Sequence, residues 1–336
     1  MPGRIFSRSR AFPLWLVVFY TGWLALMAAG RLWGEALAHW PIAVAMAVGS
    51  YFAGSTPMGG GTVGFPVLTL IFGLPASLGR GFALAVQSVG MTSASIYILS
   101  SRKTVDWALL RPALVGATLG VPFGAAFLAP HAPDLGVKLL FAVVWASFGI
   151  IHLTRFHAIV EPEGGRPPHG PLDRPIGLGV GFVGGIVASL TGVGIDMMIY
   201  AALVLFFRTD LKVAIPTSVI LMAYASLLGT ASNVALGAAF GAPYGVPYEV
   251  FLYWIAAAPV VAVGAPFGAL VVDRIGRKPT LILVSVLCVA QFAWIVLQEK
   301  VTGPPLLAAF VGLGFLCGVF AGVIALGRRM GARQGA

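Results

Sequence analysis

The sequence predicts an all-α polytopic membrane protein, with about eight transmembrane helices, two re-entrant or broken helical elements, and an inverted-topology internal repeat. Three observations carry that prediction. The 336 residues are 59% hydrophobic and only 10% charged, far from the balance of a water-soluble domain. Apolar stretches recur along almost the whole chain, each near the roughly 20 residues a helix needs to cross about 30 Å of hydrocarbon. Two of these stretches are cut by glycine-rich breaks, PMGGG at residues 57–61 and TGVG at residues 191–194.

The elements follow in order. Residues 1–40 hold a basic N-terminal segment with Arg4, Arg8 and Arg10, then an apolar stretch, Ala11–Gly30. That stretch is too long for the core of a signal peptide, so it is expected to be a retained first span. Residues 41–154 form the first membrane repeat: a broken stretch at 41–74, then spans at 78–99, 107–129 and 135–154. Residues 155–175 are polar and rich in proline and glycine, and read as a cytoplasmic linker. Residues 176–297 form the second repeat: a broken stretch at 176–207, then spans at 211–237, 251–272 and 280–297. Residues 298–336 hold the last span, at 306–326, and a basic C-terminal tail.

Each arm beside a break has about 13 to 15 residues, or about 20 Å of helix, which is short for a span. A straight helix through the first break would be about 50 Å long and overshoot the bilayer. A re-entrant or broken helix fits both stretches, with the freed backbone satisfied by protein or a watery cavity.

The two halves also echo each other. GVPFGA at 120–125 returns as GAPFGA at 264–269, and Trp107 and Pro112 return as Trp254 and Pro259. A glycine break, a polar span and G-x-P-F-G-A in the same order twice argue for an internal repeat. Basic residues cluster at the N-terminus, at Arg102, Lys103 and Arg111, in the linker, at Arg208 and Lys212, at Arg274, Arg277 and Lys278, and at Arg328, Arg329 and Arg333. The positive-inside rule makes these segments, including both termini, cytoplasmic. If each broken element returns to the side it entered from, the copies are inverted, as in many secondary transporters. Arg80 is the exception, lying outside or at the site itself.

The formal charge of +10 sits in short links rather than on one basic face, so nucleic acid is excluded as a partner. Cys288 and Cys317 are isolated in apolar segments, and the histidines have no ligand spacing, so neither a disulfide framework nor a metal site is expected. No Walker motif, nucleophile elbow or H-E-x-x-H is present, which leaves an ATP-driven pump or a membrane hydrolase without machinery. The chain is expected to be no enzyme and to need no cofactor. Its partners are a small anionic substrate and the lipid bilayer; no oligomeric state is assigned.

The glycine cluster followed by FPVLTLIFGLPASLGRG (65–81) and TVDWALLRPALVGATLGVPFGA (104–125), with TGVG followed by LKVAIPTSV (211–219), resembles the TauE/SafE-type sulfite exporter family, also called the toluene sulfonate uptake permease family. The likeness covers about residues 43–273. It implies secondary transport of small anions, mainly sulfite, thiosulfate or sulfonates, across a bacterial inner membrane. Two departures stand out. Phe82-Ala83 replaces the Thr-Ser expected in the first half, and Asp196 follows the second break.

The candidate site is built from both breaks. Gly59, Gly60 and Gly61 permit positive φ and close backbone approach, and a helix starting after them aims free amides and its positive dipole end at an oxyanion. Thr191, Gly192 and Gly194 do the same from the other side. The plainer reading is that these small residues let helices pack closely. On the span after the first break, Arg80, Gln87, Ser88, Thr92 and Ser95 share a face; Thr217, Ser218, Ser226 and Asn233 make a rougher stripe on its counterpart. They donate to the substrate or tie helices together. Asp196, an acid at membrane depth, is the proton-coupling candidate; it also suits capping of the second half-helix or pairing with a basic residue.

Overall fold

The computed structural model describes residues 10–57, 59–156, 170–275 and 278–334. Arg4, Arg8, Met58 and most of the central linker lie outside the described residues, as do the side chains of Arg274, Arg277, Lys278, Arg328, Arg329 and Arg333. Among the described residues the structure is helical, without strands. In chain order the helices are α1 (Ala11–Gly30), α2 (Trp33–Ala38), α3 (Trp40–Ser55), α4 (Gly61–Pro66), α5 (Ala76–Ser100), α6 (Trp107–Phe123), α7 (Asp134–Thr154), α8 (Asp173–Thr191), α9 (Ile195–Ala201), α10 (Leu211–Phe240), α11 (Tyr248–Ile275), α12 (Lys278–Gln298) and α13 (Pro304–Gln334). Helices α4 and α9 each run on through one π-helical stretch, giving half-helices Gly61–Ile71 and Ile195–Phe206.

Nine helices among the described residues are long and apolar enough to cross a membrane. The sequence predicts eight, and the ninth is α8, the arm before the second break. Its 19 residues make about 28 Å of helix, more than the arm length expected. The reason lies at its start. The Asp173 carboxylate accepts the Gly170 N–H at 3.1 Å, and Pro175 falls in the first turn, where its missing N–H leaves no bond unmade.

The internal repeat is visible residue by residue. One constant register pairs Thr56 with Thr191, Gly59 with Gly194, the π stretch Val67–Ile71 with Ala202–Phe206, and Ala76 with Leu211. The closing hydrogen bonds match as well: Phe72 N–H to Val67 O and Leu74 N–H to Leu68 O in one copy, Phe207 N–H to Ala202 O and Thr209 N–H to Leu203 O in the other. The copies run in opposite directions. Asp106 N–H, just beyond the far end of α5, donates to Thr217 Oγ1 near the beginning of α10 at 2.9 Å. The equivalent helices α5 and α10 are therefore antiparallel, and the repeat is inverted.

Each copy lends its arm to the other. Helix α3 packs most extensively on α11, and α8 on α6, while α5 meets α10 and α7 meets α12 across the pseudo-twofold relation. The repeated G-x-P-F-G-A motif makes the first two seams. A side chain at Gly120 would run into the Phe182 carbonyl and one at Gly124 into Ser189 Oγ; at Gly264 and Gly268 it would meet Ser50 Oγ and the Tyr51 carbonyl. Small residues let these backbones touch, the usual basis of helix association in lipid. Helix α1 leans on α11 through Tyr20 Oη to Pro259 O (2.6 Å) and Trp23 Nε1 to Ile255 O (3.0 Å), and α13 lies against α7.

Candidate functional site

The two breaks meet. Gly61, at the start of the first half-helix, faces Val193 of the second break closely enough that any side chain there would collide with Val193 Cγ1. Gly59 faces the carboxylate of Asp196. Of the first three glycines only Gly59 needs positive φ, at 65°; Gly60 has φ of −70° and caps the half-helix. In the second break Gly192 (83°) and Gly194 (111°) both occupy the left-handed region, where an L side chain is strained.

Gln87 bridges the breaks. It is 2% exposed and projects from α5 between them, its Nε2 donating to Ala83 O and to Gly192 O, both at 2.9 Å. Those bonds use both amide hydrogens and fix the ring of choices for the other atom: Oε1 points at Gly59. Turning the amide over would set an oxygen against two carbonyls. Oε1 is buried and has no hydrogen-bond partner among the described residues.

Asp196 sits opposite, 1% exposed. Its Oδ1 accepts from Gly194 N–H (3.2 Å) and Met197 N–H (3.0 Å), so it caps the second half-helix, one of the roles the sequence leaves open. Its Oδ2 faces Gly59 beside Gln87 Oε1 and also lacks a partner. Two acceptor oxygens thus converge on one buried spot with no donor among the described residues. Desolvated acceptors left this way are destabilising unless a donor, whether a proton, a cation or a bound water, reaches them.

The first break is gripped differently. Trp145 Nε1 donates to Thr62 Oγ1 at 2.9 Å and Gln291 Nε2 to Thr62 O at 3.0 Å, so α7 and α12 hold the second residue of the half-helix. A small cavity lies alongside, lined in part by Ser50, Gly60, Gln87 and Met91.

A family model, Sulfite exporter TauE/SafE, matches residues 40–295. The chain belongs to the TauE/SafE sulfite exporter family. The match begins with α3, ends in α12, and so contains both inverted copies while leaving out the peripheral α1 and α13. No curated protein and no solved structure matches. TauE/SafE is a family of transporters, so the chain is a multi-pass membrane transporter of the sulfite-exporter type and not an enzyme.

Within this TauE/SafE scaffold the predicted site residues divide. Gly59, Gly60, Gly61, Gln87, Thr191, Gly192, Gly194 and Asp196 come together where the breaks meet. Thr191 Oγ1 lies 2.9 Å from Val187 O and 2.8 Å from Val193 O, so its hydroxyl shapes the break. Ser88 and Ser218 donate to carbonyls of their own helices, Ala85 O at 2.7 Å and Ile215 O at 2.9 Å. Thr217 donates to Val213 O at 2.7 Å and receives Asp106 N–H, which places it at the start of α6. A hydroxyl has one hydrogen, and these are already committed to the backbone, as Ser and Thr in helix interiors commonly are. Among the described residues, Thr92 and Ser95 alone on the first stripe keep buried hydroxyls without partners. Trp145, Gln291 and Val193 were not singled out by the sequence, although a polar atom inside an apolar span is the signal that marks the first two.

Proposed function

We propose that the chain is a secondary transporter of a small sulfur-containing oxyanion, such as sulfite, thiosulfate or an organosulfonate, and that it works by alternating access at the meeting point of the breaks, with Asp196 carrying a coupling proton. The charge rule puts both termini and the Arg102–Lys103 turn in the cytoplasm of a bacterial inner membrane. The reading rests on one observation: Gln87 Oε1 and Asp196 Oδ2 both border Gly59 with no donor among the described residues. A proton on Asp196 Oδ2, donated to Gln87 Oε1, satisfies both oxygens in one hydrogen bond.

The same proton links to the anion. Backbone amides at a half-helix N-terminus are what an oxyanion binds, and in the second half-helix two of them are held by Asp196 Oδ1. A negative carboxylate there repels an incoming anion and competes for its donors, whereas a neutral carboxyl is displaced readily. Anion entry and proton uptake then occur together and favour symport. The glycines at 59, 61, 192 and 194 keep the backbone bare for that exchange.

The test is flux through the purified full chain in proteoliposomes, using an alkanesulfonate that stays ionised over the pH range. The wild type accumulates it under an inward proton gradient, faster as pH falls, because more Asp196 is protonated. Asp196→Asn keeps the cap and downhill exchange but loses accumulation and pH dependence, since an amide carries no proton. Unaltered proton-driven accumulation in that variant leaves Asp196 a structural residue. Flux without accumulation in the wild type makes the protein an uncoupled channel, and no flux removes the transport reading.

A further inference from the structure

Arg80 is a buried cation that the fold does not neutralise. It lies in the second turn of α5, 6% exposed. Its Nη1 donates to Ala129 O at 3.1 Å, at the end of the α6 run, and its buried Nε has no partner among the described residues. No acid pairs with it among the described residues. Asp134, at the same end of the bundle, is already engaged: Oδ1 accepts the Ala76 N–H, and Oδ2 lies 2.8 Å from Lys138 Nζ. The backbone of Arg80 seats the second break, because a side chain on Gly192 would stand 2.8 Å from Arg80 O and 3.2 Å from its Cα.

An unpaired guanidinium removed from water is costly, and it cannot shed its proton to escape that cost. The pseudo-symmetry tells whether packing demands the charge. In the register that pairs Gly59 with Gly194 and Ala76 with Leu211, Arg80 pairs with Ile215, itself buried at 4% exposure. The same helical position is filled by an apolar side chain in the other copy. The scaffold therefore closes without a cation there, and the charge of Arg80 needs another explanation.

We infer that the Arg80 guanidinium is an anion-binding site, beside Ala129 at the end of the α6 run, for a small oxyanion with at least two oxygens free to meet its fork, of the sulfite, sulfonate or phosphate type. A planar fork of donors suits two oxygens of one anion. The site exists in one copy only, at the end of α5 remote from the Asp106–Thr217 contact, so the anion meets it from one side of the bundle. The identity of the anion rests on the transport reading above; the existence of the site does not.

The experiment is equilibrium titration of the purified full chain with sulfite at constant ionic strength, by calorimetry and thermal shift, for wild type, Arg80→Gln and Arg80→Ile. Arg80→Gln removes the charge and the fork but leaves a shorter polar amide, and Arg80→Ile copies the residue of the other repeat. Both are expected to weaken sulfite binding by roughly tenfold or more, while without sulfite Arg80→Ile melts no lower than wild type, the signature of a charge the fold does not need. Wild-type sulfite affinity in Arg80→Gln overturns the site. So does a lower melting temperature in Arg80→Ile with affinity unchanged, which makes Arg80 a structural tie to Ala129. Because binding in detergent needs no flux, Arg80-dependent binding without transport would remove the transport reading and leave the site. Sulfonate flux with an unchanged KM in Arg80→Gln would do the reverse.

Discussion

The first and second breaks share a backbone and differ in chemistry. Both follow a threonine bonded to the carbonyl four residues earlier, Thr56 to Phe52 O and Thr191 to Val187 O, and both lead into a half-helix closed by the same π stretch and the same two hydrogen bonds. Where the second copy has Asp196, the first has Gly61. The acid is used to cap its own half-helix; the glycine gives up its side chain so that Val193, Gln87 and Ala83 can close in. The comparison separates two functions that one symmetric site would merge. The backbone symmetry supplies two equivalent breaks, the arrangement the proposed alternating access would use, and the asymmetry sets one titratable group between them, the one to which the proposal assigns the proton.

The largest expected effect breaks the first of these regions. A Cβ at Gly61 would meet Val193 Cγ1 and stand 2.9 Å from Gln87 Nε2 and 3.0 Å from Ala83 Cβ, whereas one at Gly60 meets nothing nearer than 3.5 Å. Gly61→Ala should therefore destabilise by about 3 kcal/mol, as overpacking does, and abolish flux. Gly60→Ala should stay within about 1 kcal/mol of wild type, the lost chain entropy of glycine offsetting its weaker cap. Thermal unfolding of the detergent-solubilised variants checks the pair. Equal melting temperatures would mean that the breaks do not touch in the working protein.

How much of this was legible follows from what each feature depends on. The breaks, the repeat and its inversion are written in local composition, loop charge and repeated motif, so they can be read along the chain. The start of α8 at Asp173 was missed because a proline three residues into a helix looks like a linker until Asp173 is seen holding the Gly170 N–H. The meeting of Gln87 with Asp196 could not be read, because it joins two copies across the pseudo-twofold and no spacing along either one encodes it. The hydroxyl stripes were legible as faces but not as donors. The tendency of helix-interior serine and threonine to bond their own backbone was the available signal for their actual role. G-x-P-F-G-A was legible as a repeat, while its purpose, seating the arm of the other copy, needed three dimensions.

An intermediate effect sharpens the difference in how the breaks are held. Trp145 Nε1 donates to Thr62 Oγ1, a buried bond that the second copy does not repeat, since Met197, without a hydroxyl, stands in the place of Thr62. Trp145→Phe removes that one donor and part of the ring volume, and should lower stability by about 1 to 2 kcal/mol. If the Trp145 bond serves the first hinge alone, the pH profile of sulfonate flux keeps its midpoint while its maximal rate falls. A shifted midpoint would show that the two breaks are not chemically separate and that Trp145 acts on Asp196.

The smallest effect belongs to Ser218, which occupies in the second copy the position of Ala83 in the first. Ala83 packs directly on the opposing break, its Cβ being the atom a side chain at Gly192 would strike first, at 2.6 Å. Ser218 is fully buried, and its hydroxyl donates to Ile215 O in its own helix. If the hydroxyl is only back-bonded, Ser218→Ala removes a local bond that competes with helix geometry, and stability changes by no more than about 0.5 kcal/mol. Sulfonate KM and the pH profile should then match wild type. If Ser218 instead donates to the anion in the transport cycle, the same substitution leaves stability alone and raises KM several-fold, the cost of one hydrogen bond to a charged group. Measuring KM and melting temperature together on Ser218→Ala, with Ala83→Ser as its mirror, decides whether the second copy adds a side-chain donor to the site or whether Gln87 and Asp196 carry its polar chemistry without help from that helix.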